Sequence, residues 1–224
     1  MCFSATASFV TAGLTAAVGI VSLSKVNDRR EAPLAATPLL FAFQQCVEGL
    51  LWLDLPLAPD GVAASSLTLI FLFFADVLWP VYASIAVWLI EPNRRRRRWM
   101  LLCLAIGISV SARMLWSIAT RPYGAVILQD HIVYLTGYTP SVVLGLGYLA
   151  ATGLPLMLSS HRTVVVLGSI ILVGSATAFF FYWEGFVSVW CFFAAAASLV
   201  ILGHFEWSRR RRPRLAAFHI STGT

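Results

Sequence analysis

The sequence predicts an all-α polytopic membrane protein, a bundle of seven transmembrane helices that forms one domain over residues 1–208. Hydrophobic residues make up 59% of the 224 residues and charged residues only 12%, which is far from the balance of a soluble globular protein. The apolar runs are continuous and about 20 residues long, the length that a helix needs to cross the hydrocarbon core. Strands of a membrane barrel would be much shorter and would alternate apolar and polar residues.

Seven such runs follow one another, separated by short polar connections. The first has no positive charge before it and positive charges after it, so we interpret it as a retained helix and not as a secretory signal. The longest connection, 120–139, contains two short β-prone runs around the polar residues Gln129, Asp130 and His131, which predicts an outer loop or a hairpin lid. The predicted spans lie near residues 5–24, 34–53, 63–90, 99–119, 140–159, 164–182 and 186–206.

Basic residues predict the orientation of the bundle. Arg94–Arg98 follow the third span and Arg209–Arg212 follow the seventh, whereas the alternate connections carry few positive charges. Since connections rich in arginine and lysine stay in the cytoplasm, the N-terminus is predicted outside and residues 209–224 form a basic cytoplasmic tail. Both arginine runs are expected to contact anionic lipid headgroups. This partner accounts for the formal net charge of +6, so no nucleic-acid binding is predicted.

Three polar residues lie close together in the otherwise apolar second span. Gln44 and Gln45 precede Glu48 by four and three residues, so the three side chains share one face of the helix. An ionisable group inside a membrane is costly and is typical of a functional site. We therefore predict an outward-facing polar pocket with Glu48 as its titratable centre and the glutamines as hydrogen-bond donors. The alternative is that this face only holds helices together through hydrogen bonds.

Two further charged residues fall within predicted spans. Asp76 lies near the middle of the third span, four residues before Pro80. Proline lacks the amide hydrogen that would bond the Asp76 carbonyl, so carboxylate and carbonyl meet at a kink that suits a cation, a water or a hydrogen-bond donor. Arg113, in the fourth span, is expected either to extend toward the outer surface or to pair with Glu48 or Asp76.

The predicted lid carries His131 and Tyr134, which are expected to gate the pocket. Two less favoured alternatives also use Cys2. In one, Cys2, Glu48 and His131 form a mixed metal site; in the other, Cys2 is a nucleophile with His131 as its base. The four cysteines show no CxxC spacing, so neither a metal site nor a disulfide framework is favoured. No cofactor is predicted, since the one lysine, Lys25, lies too near a span end to hold retinal as a Schiff base.

Five stretches of the chain are similar to one family. They are MCFSATASF at 1–9, PLLFAFQQCVEGLLW at 38–52, FLFFADVLWP at 71–80, DHIVY at 130–134 and FVSVWCFFAA at 186–195. Together they resemble a family of uncharacterised bacterial multi-pass membrane proteins whose members open with MCFSATASF. The resemblance implies a location in the bacterial cytoplasmic (inner) membrane and no particular activity. At Asp76 the chain departs from the apolar residue that the family has. The matching positions are Cys2, Gln45, Glu48, Trp52, Trp79, Pro80, Glu91, His131, Tyr134, Trp190 and Cys191.

These observations favour a non-enzymatic inner-membrane protein. Its pocket around Glu48 is predicted to bind, sense or pass a proton, a cation or a small polar ligand. The first alternative is a structural or assembly partner of another membrane complex, in which the polar residues only join helices. The second is the intramembrane enzyme that uses Cys2 and His131.

Overall fold

The computed structural model describes residues 4–128, 131–137, 141–181 and 197–206. Helices account for most of these residues, and the sheet in this part of the chain is a two-stranded hairpin. A 3-10 helix, Arg29–Glu31, precedes the second helix, and a π-helical segment, Phe73–Leu78, joins the third helix to the fourth. The helices are α1 (Ala5–Ser24), α2 (Ala32–Asp54), α3 (Val62–Leu72), α4 (Trp79–Ile90), α5 (Arg94–Thr120), α6 (Val142–Met157), α7 (Arg162–Phe181) and α8 (Ala197–Glu206), and the strands are β1 (Tyr123–Leu128) and β2 (His131–Thr136).

Length and composition show which helices suit a membrane. Four helical segments are long and apolar enough to cross one, namely Ala5–Ser24, Arg29–Asp54, Val62–Ile90 and Arg94–Thr120. The all-α class predicted from the sequence is thereby confirmed, together with helices of membrane-spanning length. The remaining apolar helices, in α6, α7 and α8, are shorter. The count of seven spans and the orientation stay predictions, and residues 186–196 of the seventh predicted span lie outside the described residues.

Polar side chains explain where several helices begin. Ser4, Asn93 and Ser141 each accept hydrogen bonds from amides of the helical turn that follows, at distances between 2.9 and 3.2 Å. These bonds satisfy amides that have no partner inside the helix. Asn93 thus starts α5 only three residues after α4 ends, which forces the chain to reverse direction at this corner.

Small residues bring α1 against α2. An ideal Cβ atom built on Gly19 would lie 2.6 Å from Cγ of Leu39, so the two backbones approach as closely as glycine allows. The opposite face of α1 exposes Val10, Leu14 and Ile20, as expected for a face toward lipid. Small contact residues of this kind are typical of helix pairs in membranes. The buried face of α1 consists of Ser8, Ala12, Thr15, Gly19 and Ser22.

A second close approach holds α5 against the corner between the π-helical segment and α4. An ideal Cβ atom on Gly107 would lie 2.3 Å from the carbonyl oxygen of Pro80 and 3.3 Å from Cβ of Ala151 on α6. One turn further along α5, the Ser111 hydroxyl donates a hydrogen bond of 2.7 Å to the Val77 carbonyl. The kinked region is therefore packed directly against α5.

The hairpin covers one end of α2 and α3. Strands β1 and β2 pair antiparallel, with Ala125 opposite Tyr134 and Ile127 opposite Ile132. Ala125 and Ile132 are buried in the same apolar core as residues of α2 and α3, and the Tyr134 ring stacks on Phe71 with a centroid distance of 4.3 Å. We call this end of the bundle the hairpin end, and the end that carries Arg94–Arg98 the arginine end.

Two apolar cores fill the described part of the bundle. The core near the hairpin end joins α2, α3, the start of α4 and the hairpin. The core near the arginine end joins the beginning of α2 to α4, α5, α6, α7 and α8. The polar residues described below lie beside these two cores, one group at each end.

Candidate functional site

The Glu48 carboxyl lies inside the bundle on α2. Its residue is 0% exposed, and so is Gln45, whose side-chain amide donates a hydrogen bond of 3.0 Å to Oε2 of Glu48. Burying a carboxyl is costly unless a donor or a charge compensates it, and Gln45 supplies one such donor from the preceding turn. Glu48 and Gln45 thus form the centre of the candidate site.

Gln44 joins two helices. Its carbonyl oxygen accepts a hydrogen bond of 2.7 Å from the indole N–H of Trp79 on α4. Phe41, one turn earlier on α2, stacks on the same indole with ring centroids 4.0 Å apart. This bond uses only the carbonyl oxygen of Gln44 and holds α4 against α2, so the predicted donation from the Gln44 amide group to the pocket stays a prediction. The predicted polar face is therefore divided between the candidate site and helix packing.

Trp52 extends the same face of α2. It follows Glu48 by four residues, and its indole N–H is buried and donates no hydrogen bond to any of the described residues. Buried polar atoms are normally paired, so an unpaired donor marks a position where a ligand or water binds. Trp52 is missing from the pocket predicted on the basis of the sequence, although its spacing from Glu48 is the signal that identifies it.

The two predicted gate residues both lie on β2. Successive residues of a strand point to opposite faces, so Tyr134 shares the helix-facing side of the buried Ile132, while His131 lies at the start of the strand with its Nδ1 atom buried. The stacking of Tyr134 on Phe71 agrees with this assignment. His131 pairs with Leu128 at the tip of the hairpin. The structure therefore places Tyr134 against the apolar core near the hairpin end, and the gating role of His131 and Tyr134 stays a prediction.

Asp76 and Arg113 do not form an ion pair. Arg113 is exposed on the surface of α5, as expected if it extends away from the bundle. Asp76 is only 7% exposed and lies within the π-helical segment. An ion pair elsewhere in the bundle joins Lys25 to Glu206. Neither Glu48 nor Asp76 is thus neutralised by Arg113.

The alternatives that depend on Cys2 fall outside the described residues, as do Asp130, Cys191 and Arg209–Arg212. Across the residues that are described, no group of three or more histidine, cysteine, aspartate and glutamate side chains is arranged to hold a metal ion. Cys46 is exposed and Cys103 is buried, and both are free thiols. The metal and nucleophile hypotheses therefore stay predictions.

A small cavity lies between α2, α4, α6 and α7. Its volume is about 50 Å³, enough for one or two water molecules, and its lining is mainly apolar. Trp79 separates it from the Gln44 side chain, and the Tyr82 hydroxyl, also in its lining, donates a hydrogen bond of 2.5 Å to the Pro33 carbonyl. Glu48 does not line this cavity, so it is distinct from the candidate site.

A second polar group, at the arginine end, centres on Glu91. This residue is 2% exposed, and its carboxylate accepts hydrogen bonds from the Ser160 amide at 2.7 Å, the Ser160 hydroxyl at 2.6 Å and the Asn93 amide at 3.0 Å. The Nε2 atom of His161 lies 3.1 Å from the Ile90 carbonyl, so that nitrogen donates. Glu91 thereby locks the connection between α6 and α7 onto the corner between α4 and α5.

Neighbouring hydrogen bonds extend this network. Arg96 donates to the carbonyls of Leu158 and Ser159 at 3.0 and 2.9 Å, and His204 of α8 hydrogen-bonds through Nδ1 to the Thr163 hydroxyl. Of the residues in this network, Glu91 is noted from the sequence as a position that matches the family. The signal for the network is the run Ser159, Ser160 and His161, three polar residues between two apolar helices.

The pKa of Glu91 follows from these contacts. Burial by itself raises the pKa of this carboxyl, but the hydrogen bonds from Ser160 and Asn93, together with the nearby His161, outweigh burial. The pKa therefore lies below its ordinary value of 4.5. Glu91 is thus an ionised, fully bonded structural carboxylate, in contrast to the candidate site at the other end.

Comparison with known proteins gives one positive result. No curated protein and no solved structure matches the chain. One described family does match it, over residues 1–218, a range that includes Glu48, the hairpin and the Glu91 network. The chain therefore belongs to that family, which is described as "Family of unknown function (DUF6629)".

Proposed function

We propose that this protein is a non-enzymatic multi-pass membrane protein that binds a proton, a cation or a small polar ligand at Glu48. The observation that carries the proposal is the complete burial of this carboxyl in a helix long and apolar enough to cross a membrane. Packing of α2 against α4 does not require Glu48, because the hydrogen bond of Gln44 already joins these two helices. A carboxyl at membrane depth destabilises the fold, and such residues are typical of ligand and ion sites.

Two further features support a site for an exchangeable ligand. The unpaired indole N–H of Trp52 lies one turn from Glu48 and offers a donor to a ligand or its water. The hairpin closes this end of the bundle through a limited set of contacts, chiefly Ala125, Ile132 and the stacking of Tyr134 on Phe71. Because Glu48 has no exposed surface, a ligand enters or leaves only when these contacts open.

Thermal unfolding of the purified protein tests the site. The probes are sodium, potassium, calcium, ammonium and guanidinium chlorides at constant ionic strength, and a pH series without them. We expect at least one probe, or acid pH, to raise the melting temperature of the wild type. Glu48→Gln is expected to abolish this response, because it removes ionisation but keeps an oxygen that accepts from Gln45. A ligand at a hundred times its Kd stabilises by about 2.7 kcal/mol, which such a measurement resolves.

The matched control is Glu206→Gln, which removes a carboxylate that pairs with Lys25 at the other end. This variant is expected to keep the wild-type response. An equal response from Glu48→Gln and wild type, or a wild type that no probe stabilises, would overturn the proposal. In that case a role as assembly partner of another membrane complex is favoured, and a stoichiometric protein should co-purify under mild detergent.

We further propose seven spans in the bacterial inner membrane, with the N-terminus and the hairpin end outside. The support is the arginine distribution, since Arg94, Arg95 and Arg98 are all exposed at one end, where anionic headgroups of the cytoplasmic leaflet suit them. In a background without native cysteines, Asp60→Cys should react with a membrane-impermeant maleimide on intact cells. Arg95→Cys should react only after lysis, and the reverse pattern would refute this orientation.

A further inference from the structure

Asp76 is a buried carboxyl that the proposed Glu48 site does not use. It lies in the π-helical segment, where the Trp79 amide bonds back to the Phe74 carbonyl, five residues earlier. Segments of π-helix are rare and occur frequently at functional sites. Asp76 is 7% exposed, yet its carboxyl makes no hydrogen bond or ion pair with any part of the described chain.

The backbone on either side of Asp76 is held by other helices. The Tyr148 hydroxyl of α6 donates a hydrogen bond of 2.7 Å to the Ala75 carbonyl. The Ser111 hydroxyl of α5 donates one of the same length to the Val77 carbonyl. These two bonds fix the residues before and after Asp76, so the carboxyl is placed by the fold and is not a mobile surface group.

Among the described residues, no charged group pairs with Asp76. On α5 the charged group nearest in sequence to Ser111 is Arg113, which is exposed and pairs with neither carboxyl. The described titratable groups on the other packed helices are Cys46, Glu48 and Asp54 on α2, Tyr82 on α4 and Tyr148 on α6, and α3 has none. An ionised carboxyl without a partner costs several kcal/mol at membrane depth, and a neutral carboxylic acid costs much less than the ion.

We propose that Asp76 is a second, separate proton-binding site, occupied by a proton in this conformation. A proton fits better than a metal ion, because a cation needs several oxygen ligands and the Ala75 and Val77 carbonyls already accept hydroxyls. When the proton leaves, the carboxylate becomes a stronger acceptor than a backbone carbonyl. The Tyr148 and Ser111 hydroxyls then exchange the Ala75 and Val77 carbonyls for the Asp76 carboxylate, so the bonds from α6 and α5 to the π-helical segment shift from its backbone to this side chain.

Labelling with dicyclohexylcarbodiimide tests this proposal. This apolar reagent adds to protonated carboxyls inside membranes, and the modified peptide is identified by mass spectrometry. We expect modification at Asp76 at neutral pH, a progressive loss at alkaline pH and a complete loss in Asp76→Asn. The exposed Asp60 serves as the control that stays unlabelled, and labelling at Glu48 is scored on a separate peptide. The Asp76 result is therefore independent of the Glu48 site.

Infrared spectroscopy of the wild type gives a second measurement that does not depend on a variant folding. A carbonyl band of a protonated carboxyl should be present at neutral pH and should be lost in parallel with the labelling. Tyr148→Phe should shift the loss of labelling to higher pH, because it removes a donor to the ionised form. Absence of both labelling and band at neutral pH would overturn the proton site, and an unchanged titration in Tyr148→Phe would overturn the exchange of hydroxyls.

Discussion

Gly107→Ala is expected to prevent α5 from closing against α4. The added methyl carbon would lie 2.3 Å from the Pro80 carbonyl oxygen and 2.9 Å from its carbonyl carbon. Both atoms are backbone, so no side-chain rotation relieves the clash, and the helices must separate. Overpacking of this kind costs about 1–3 kcal/mol and occasionally more. Separation also strains the Ser111 bond to Val77, so we expect the upper end of this range or beyond.

The measurement is the melting temperature and the yield of monodisperse protein in detergent. The matched control is Gly145→Ala on α6, where an added Cβ atom meets nothing within 4 Å. Since alanine favours a helix over glycine by about 1 kcal/mol, this control should be neutral or slightly stabilising. Equal behaviour of the two variants would show that the close approach at Pro80 does not limit stability.

Glu91→Ala is expected to cause the second large loss of stability. It removes the common acceptor of the Ser160 amide, the Ser160 hydroxyl and the Asn93 amide, all of which are then left without their partner. Glu91 is buried but Ser160 and Asn93 are exposed residues, so water replaces part of the lost bonds and the total should be about 1–3 kcal/mol. Unfolding of the purified variant measures this loss. Glu91→Gln keeps an acceptor oxygen and should lose clearly less.

The same carboxylate predicts a dependence on pH. Because the pKa of Glu91 is lower in the folded protein than its ordinary value of 4.5, the ionised form stabilises the fold. This contribution is fully present above the unfolded pKa and is lost as the pH falls through the folded pKa. The difference in melting temperature between wild type and Glu91→Gln should therefore be largest near neutral pH and shrink under acid conditions. A difference independent of pH would indicate that ionisation of Glu91 contributes nothing.

The polar face of α2 shows how much of the site helical spacing predicts. Offsets of three and four residues place Gln44, Gln45 and Glu48 on one side, and all three are indeed buried. The offsets do not distinguish the two glutamines, whereas the structure pairs Gln45 with Glu48 and Gln44 with Trp79. The partner of a side chain depends on which helix lies opposite, and that choice involves residues far away in the sequence.

At the arginine end, the sequence predicts less than the structure shows. Positive charge near span ends predicts an interface with lipid headgroups, but it does not predict the hydrogen-bond network of Glu91, Ser160 and His161. Glu91 and Ser160 are 69 positions apart and Ser160 is adjacent to His161, and only the packing of α6 and α7 against α4 brings them together. No periodic pattern within one helix records such a contact.

The sequence by itself determined the apolar helices, their suitability for a membrane and the polar residues that they carry, because hydropathy and helical periodicity are local properties of a chain. Only the tertiary structure decided that Glu48 is sealed, that Arg113 neutralises neither buried carboxyl and that Tyr134 stacks on Phe71. The physical reason is that burial and pairing depend on close packing between elements distant in sequence, as at Gly107 and Pro80.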